Sequence, residues 1–216
     1  MHIPDAFIPI TQGIVYWAIA LVFIGLSLRW ARRDMDEEKI PLVAVLAAGI
    51  FALQSFNLPV GMGTTGHLVG GALAAIVLGS PYAAVFIMTL VLIVQGLIFG
   101  DGGITTMGAN ILNMGVIGGF VGFYTFWGMM AATKNLTISA FTAAWFACVI
   151  PALAAAVELF IAGTFPLRAG LIAMGLYHAL IGIIEGGVTV IAIRLIMTAR
   201  PDIVKLDTPA PRGVGA

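Results

Sequence analysis

The chain of 216 residues holds three histidines, His2, His67 and His178, and one cysteine, Cys148. A single thiol excludes a disulfide framework and every multi-thiolate metal site. His2 stands directly after Met1, and so bulky a second residue protects the initiator methionine from removal. The α-amine of Met1, the His2 amide nitrogen and the His2 imidazole Nδ1 can then bind one ion, closing two adjacent chelate rings. An ion that displaces the amide proton draws these nitrogens into one plane, the geometry that Ni(II) and Cu(II) prefer. Zinc prefers a tetrahedron. Pro4 has no amide hydrogen and ends any further wrapping. A fourth nitrogen completes the square, and His67 is the candidate. Each histidine also has a plainer reading: His2 as a terminal residue without a role, His67 as a helix-start side chain bonded to a backbone carbonyl.

Other polar residues sit inside apolar sequence, where they are costly and mark function or interhelical hydrogen bonds. Gln95, Asn110 and Asn113 can support the imidazoles by fixing their tautomers. Asn110 and Asn113 are three apart and share a face if their segment is α-helical. Asn57 precedes Pro59 and can position the loop after it. Two stretches are dense in glycine and threonine, Gly61-Met62-Gly63-Thr64-Thr65-Gly66-His67 and Gly100-Asp101-Gly102-Gly103-Ile104-Thr105-Thr106. Such segments can fold back into a bundle as a plug or a shaped pocket, because irregular backbone at membrane depth must be buried in protein. Thr64 or Thr65 is placed to cap a helix starting near His67. Asp101 is a further candidate support for the histidines. Neither stretch is a P-loop, since no Gly-Lys-Ser/Thr follows. His178 and Glu185, seven apart on one helix face, and Glu158 can form a proton relay or simple polar contacts.

The elements that position these residues follow from composition. Hydrophobic residues make up 61% of the chain and charged residues 9%, against roughly 25% charged in a soluble domain. Mean hydropathy is +1.09. Too few polar residues remain to cover a water-facing surface, so lipid is the outer solvent. The composition also excludes a disordered chain and a nucleic-acid binder. Seven apolar spans are expected, at Gly13–Trp30, Ile40–Phe56, His67–Gly79, Pro81–Phe99, Ala109–Ala131, Ile138–Ala162 and Ala169–Met197. The third is short and glycine-rich. The first lacks a basic start and reads as a retained helix, not a cleaved signal. The expectation is an all-α integral membrane protein with its N-terminus outside and its C-terminus cytoplasmic. That orientation puts Arg29, Arg32, Arg33, Lys39, Lys134, Arg194, Arg200, Lys205 and Arg212 inside and only Arg168 outside, as the positive-inside rule demands. It gathers His2, His67 and both glycine-rich stretches at the outer face. Residues 1–200 read as one membrane-embedded domain and 201–216 as a cytoplasmic tail.

Ala44, Ala48 and Ala52 recur every four residues in the second span. This ridge of small residues lets another helix approach closely, from this chain or from a partner.

Four stretches, MHIPDAF, NLPVGMGTTGHLVGGALAAIVLG, QGLIFGDGGITTMGANILNMGVIGG and YHALIGIIEG, together resemble the CbiM/NikM family. Its members are substrate-binding (S) components of energy-coupling-factor transporters for cobalt and nickel. The resemblance runs from Met1 to about Ile196, and the nickel type is the nearer. It implies a six-helix S-component core with an extra N-terminal helix, and an N-terminus that dips into the bundle. It implies Ni(II), with Co(II) as the alternative, held by Met1, His2 and His67, with the Gly100–Thr106 stretch beside them. Ala6 stands where family members often have glycine. The resemblance also implies a transmembrane coupling protein and two cytoplasmic ATPases as partners, and leaves room for a small accessory membrane subunit. The ridge at Ala44, Ala48 and Ala52 resembles the surface by which S components dock the coupling protein. No Walker motif is present, so energy must come from elsewhere. A stand-alone secondary cation transporter or channel is the alternative, with His178, Glu158 and Glu185 as its sparse relay. Neither HExxH nor paired catalytic aspartates occur, which speaks against a membrane enzyme.

Overall fold

Long apolar runs with few interior charges dictate the helices of the computed structural model, which describes residues 1–60 and 64–201. Among the described residues seven helices follow in order: α1 (Ile10–Asp34), α2 (Ile40–Gln54), α3 (Gly71–Val77), α4 (Pro81–Ile98), α5 (Met107–Thr133), α6 (Leu136–Ile161) and α7 (Leu167–Ala199). Five of them, all but α2 and α3, are long and apolar enough to cross a membrane. The seven expected spans are thus seven helices, but only five have spanning length. At 15 residues α2 is shorter, and α3 has only 7.

Local chemistry sets the boundaries. Ser80 accepts a hydrogen bond from the Tyr82 amide and Pro81 opens α4, a helix-start pattern. Asn135 Oδ1 accepts from the Ile138 amide to start α6. Lys134, in the left-handed region, closes α5.

Two features depart from the all-α expectation. Leu58–Val60 (β1) pairs antiparallel with Thr64–Gly66 (β2), Leu58 opposite Gly66. Residues 61–63 of the first glycine-rich stretch lie outside the described residues, as does the tail after Pro201. Thr64 and Thr65 therefore belong to a strand and do not cap α3. That helix starts four residues after His67, because His67–Gly70 is held non-helical and Gly70 adopts φ +81°. A Cβ at Gly70 would stand 2.8 Å from the Ile50 side chain, so glycine is required there on both counts. The second departure lies inside α5, where Ile111–Ile117 is π-helical.

Small residues bring the helices together. A Cβ on Gly182 would meet the Trp145 ring at 2.9 Å, and one on Gly186 would meet Phe141 at 2.6 Å, so α7 lies directly against the aromatic face of α6. Trp145 Nε1 donates to the Ala179 carbonyl across the same seam at 3.0 Å. The outward faces are apolar: Ile10, Val22, Ile191 and Leu195 are each more than half exposed, as a lipid-facing surface requires. Gln12, at the start of α1, donates to the Glu158 carbonyl near the end of α6. Arg194, near the end of α7, donates to Thr137 at the start of α6. The N-terminal residues and the Arg194 end therefore occupy opposite ends of the bundle.

Candidate metal site

Residues 1–9 precede the first helix and fold into the bundle, with Met1 and Ile3 each only 3% exposed. A strand that leaves water needs partners for its backbone. The start of α5 and the stretch before it supply them. Asn110 grips both sides of Ile3: its Oδ1 accepts from the Ile3 amide at 2.8 Å and its Nδ2 donates to the Ile3 carbonyl at 3.1 Å. The same carbonyl accepts from Thr106 Oγ1 at 2.5 Å and from the Gly103 amide at 3.1 Å. Asp5 fastens the outer end. Its Oδ1 accepts from the Thr105 amide (2.8 Å) and hydroxyl (2.5 Å), and its Oδ2 from the Ile104 amide (3.1 Å). Gly103 has no room for a Cβ, which would strike Asp5 and Thr106. Trp17 of α1 donates to the Ile104 carbonyl at 3.1 Å and holds the stretch from behind.

This clamp sets His2 against His67. The two rings stack with centroids 4.4 Å apart and planes 21° apart. His67 is fully buried, and its Nδ1 lies 2.7 Å from the Leu68 carbonyl. A carbonyl only accepts, so Nδ1 carries the hydrogen and Nε2 keeps its lone pair. That Nε2 is buried without a hydrogen-bond partner. His2 Nδ1 lies 3.1 Å from Asp101 Oδ1 but lacks the alignment of a hydrogen bond. Burial lowers the His2 pKa, while the His2 ring beside it holds Asp101 below the usual carboxylate range. Burial governs His2, so the pair is a neutral imidazole beside a carboxylate. Gln95 faces His2 with both side-chain polar atoms buried and unbonded, and Asn57 approaches Asp101. Burial also brings the Met1 amine down from 8.0 to about 5, against the opposing pull of Asp101, so at neutral pH the amine is neutral.

Met1, His2, His67, Asn57, Gln95, Asp101 and Asn110 therefore come together at one end of the bundle. Among the described residues no three His, Cys, Asp or Glu side chains converge to hold an ion. The Met1 amine and the His2 amide are the backbone nitrogens beside the two imidazoles. Stripped of their protons, such nitrogens suit a planar site better than a tetrahedral one.

Asn113 departs from the expectation. Its Nδ2 donates to Glu158 Oε2 at 2.7 Å, away from the histidines. The π-helical turn is the reason: bonding i to i+5 fits an extra residue into the turn, so residues three apart no longer share a face. His178 keeps its ring within its own helix, with Nδ1 2.9 Å from the Met174 carbonyl, and its backbone carbonyl accepts from Cys148 Sγ of α6 at 3.6 Å. Glu185 accepts from the Val69 and Gly70 amides. Among the described residues no direct hydrogen bond joins Glu158, His178 and Glu185 to one another. Ala44, Ala48 and Ala52 are exposed on α2 and not covered by this chain. Ala48 lines a shallow apolar groove with Phe51, Leu90 and Val94.

Sequence reasoning did not single out Asp5, Thr106 or Gln54. Asp5 was legible as the one carboxylate in MHIPDAF, three residues past the presumed chelate. Thr106 ends a stretch already flagged, and only Gln54 offers no signal beyond being polar in an apolar span.

Comparison with known proteins gives this geometry a context. Residues 2–203 match the family model CbiM, described as the cobalt uptake substrate-specific transmembrane region. A protein of Archaeoglobus fulgidus described as a fused nickel transport protein, NikMN, is 38% identical over 207 residues, covering 95% of this chain and 68% of that one. The cobalt transport protein CbiM of Geobacter sulfurreducens is 32% identical over 228 residues, covering 100% of this chain and 65% of that one. A crystal structure of a truncated transition metal transporter superposes with a TM-score of 0.86 at 30% identity, covering 92% of this chain and 99% of that chain. The relatives are metal transport proteins, not enzymes, and the apolar helices make this a multi-pass membrane protein. With the match spanning nearly its whole length, the chain belongs to the CbiM family of cobalt and nickel transport.

Proposed function

We propose that this chain captures Ni(II), with Co(II) as the alternative substrate, at the outer face of the membrane and passes it inward as the substrate-specific subunit of an energy-coupling-factor transporter. The observation that carries the reading is the buried N-terminus. Asn110 grips Ile3 on both sides, so the Met1 amine and His2 lie in the protein interior against His67. On binding, His2 Nδ1 turns from Asp101 to the ion, the His2 amide gives up its proton, and His67 Nε2 supplies the fourth nitrogen. Amide chelation in a plane favours nickel over cobalt. The opposite ends found for the N-terminal residues and for Arg194 agree with an outward N-terminus, since most of the basic residues then lie inside. All seven helices belong to the membrane domain in this reading, six forming the S-component core and α1 the addition.

Transport needs energy that this chain does not supply. The reading assigns it to a transmembrane coupling protein and two cytoplasmic ATPases, with the exposed Ala44, Ala48 and Ala52 as the docking surface.

Calorimetric titration with nickel tests the site. Protein with its native N-terminus binds tightly and develops the absorbance of a planar nickel centre. One extra residue before Met1 displaces the amine from its ring and abolishes both. Equally tight binding by the extended protein defeats the ligand set. ATP-dependent uptake into vesicles only when the partners are present supports the subunit role, and uptake by the chain alone defeats it.

A further inference from the structure

Glu185 is 2% exposed in α7, and among the described residues no lysine or arginine pairs with it. A buried carboxylate without a counter-ion is costly unless its oxygens are hydrogen-bonded. Here they are: Oε2 accepts from the Val69 amide at 2.9 Å and Oε1 from the Gly70 amide at 2.8 Å. Val69 N–H belongs to the same peptide group as the Leu68 carbonyl. That carbonyl accepts the hydrogen of His67 Nδ1 at 2.7 Å. A carboxylate, one peptide group and an imidazole thus stand in series, ending at the bare His67 Nε2. Negative charge at the N–H end of a peptide polarises it toward oxygen and strengthens the hydrogen bond that its carbonyl accepts. Histidine ligands commonly place their other ring N–H on a carboxylate or a backbone carbonyl, which fixes the tautomer and raises the basicity of the ligating nitrogen. Here the carbonyl has a carboxylate behind it. The next peptide is held as well, since Gln54 Nε2 of α2 donates to the Val69 carbonyl at 2.6 Å.

We infer that Glu185 is a positioning residue for His67, acting through the Leu68–Val69 peptide group to orient the imidazole and strengthen Nε2 as a nickel donor. This rests on the reading of His67 as a ligand. Glu185 touches no ion itself. Its role accounts for a residue that the sequence marks only as an acid inside an apolar helix.

A double-mutant cycle separates this role from a purely structural one. Full-length protein with its native N-terminus is titrated with nickel as wild type, Glu185→Gln, His67→Ala and the double variant. Glutamine keeps one acceptor but presents an amino group to the other amide. Glu185→Gln is expected to weaken nickel binding by about 10–100-fold, the usual cost of losing an outer-shell partner. Its nickel absorbance is expected to move toward that of His67→Ala. In the His67→Ala background the same change is expected to cost less than about twofold, because the inferred effect reaches the ion through His67. An equal loss in both backgrounds means that Glu185 only maintains the fold, and overturns the inference; so does wild-type affinity in Glu185→Gln. Should Glu185→Gln not fold, Glu185→Asp carries the same cycle, with an intermediate loss expected in the wild-type background alone. Wild-type affinity in His67→Ala overturns the ligand reading itself, whatever Glu185 does, so the two failures are distinct.

Discussion

The two histidine arms of the site are held in different ways. His2 rides on a segment fastened by one continuous stretch of chain: Gly103, Ile104, Thr105, Thr106 and Asn110 supply every bond to Ile3 and Asp5 described above. His67 rides on a segment fastened from two distant helices, by Gln54 of α2 and Glu185 of α7. The first fastening is to a single stretch and ends at an exposed carboxylate. The second is wholly buried and tied to helix packing. A shift of α2 against α7 must strain the Val69 bonds and reach His67, whereas the His2 segment is bonded to neither of those helices. The same helix α2 carries the exposed Ala44, Ala48 and Ala52.

Gly70→Ala attacks the buried arm and should have the largest effect. Alanine at φ +81° costs roughly 1–2 kcal/mol. Its Cβ would also lie 2.8 Å from two carbons of Ile50, which is fully packed. Overpacking of this kind adds about 1–3 kcal/mol. Both the thermal midpoint in detergent and nickel affinity should fall. Unchanged nickel affinity would mean that this segment does not set His67.

Asn110→Ala attacks the arm that carries His2. It strands the Ile3 amide, while the Ile3 carbonyl keeps Thr106 and Gly103. One buried unsatisfied amide costs about 1–3 kcal/mol, on the order of a 10- to 100-fold loss of nickel affinity. The thermal midpoint should move less than in Gly70→Ala, because the strand is fastened to one stretch and not to the helix core. A midpoint drop as large as that of Gly70→Ala would erase the contrast between the arms.

The same contrast explains what the sequence disclosed. The helices were legible because lipid demands long apolar runs, and Pro81, Gly79 and Asn135 mark turns by familiar chemistry. His2 and His67 were legible because histidine is scarce here and backbone chelation depends on position alone. Asn110 and Asp101 were legible as polar residues beside a flagged stretch. Asn113 was misplaced because a π-helical turn leaves no clear trace in residue types. The start of α3 was misplaced because what holds His67–Gly70 out of the helix is Gln54 and Glu185, 13 residues before and 118 residues after His67. Local periodicity cannot carry a hydrogen bond between helices so far apart in sequence.

Asp5 should give the smallest effect and a signature in pH. Its carboxylate is held below the usual carboxyl value of 3.8, first by the Thr105 hydroxyl and then by the Thr105 and Ile104 amides. The bonded form is the charged one. Its support for the strand is therefore complete above the ordinary carboxyl pKa and fades as pH falls through the lowered value. Asp5 is exposed, and asparagine keeps one acceptor, so Asp5→Asn should weaken nickel binding only about twofold at neutral pH, the range of most surface changes. Amide exchange at Ile104 and Thr105, followed by mass spectrometry, reads the strand without metal. Exchange should be faster in Asp5→Asn than in wild type at pH 7, and the two should converge in acid once Asp5 is protonated. A difference that persists in acid would show that the charge is not what fastens this end. A neutral-pH loss as large as that of Asn110→Ala would show that the strand hangs from its exposed end, which would reverse the order of the two fastenings within the His2 arm.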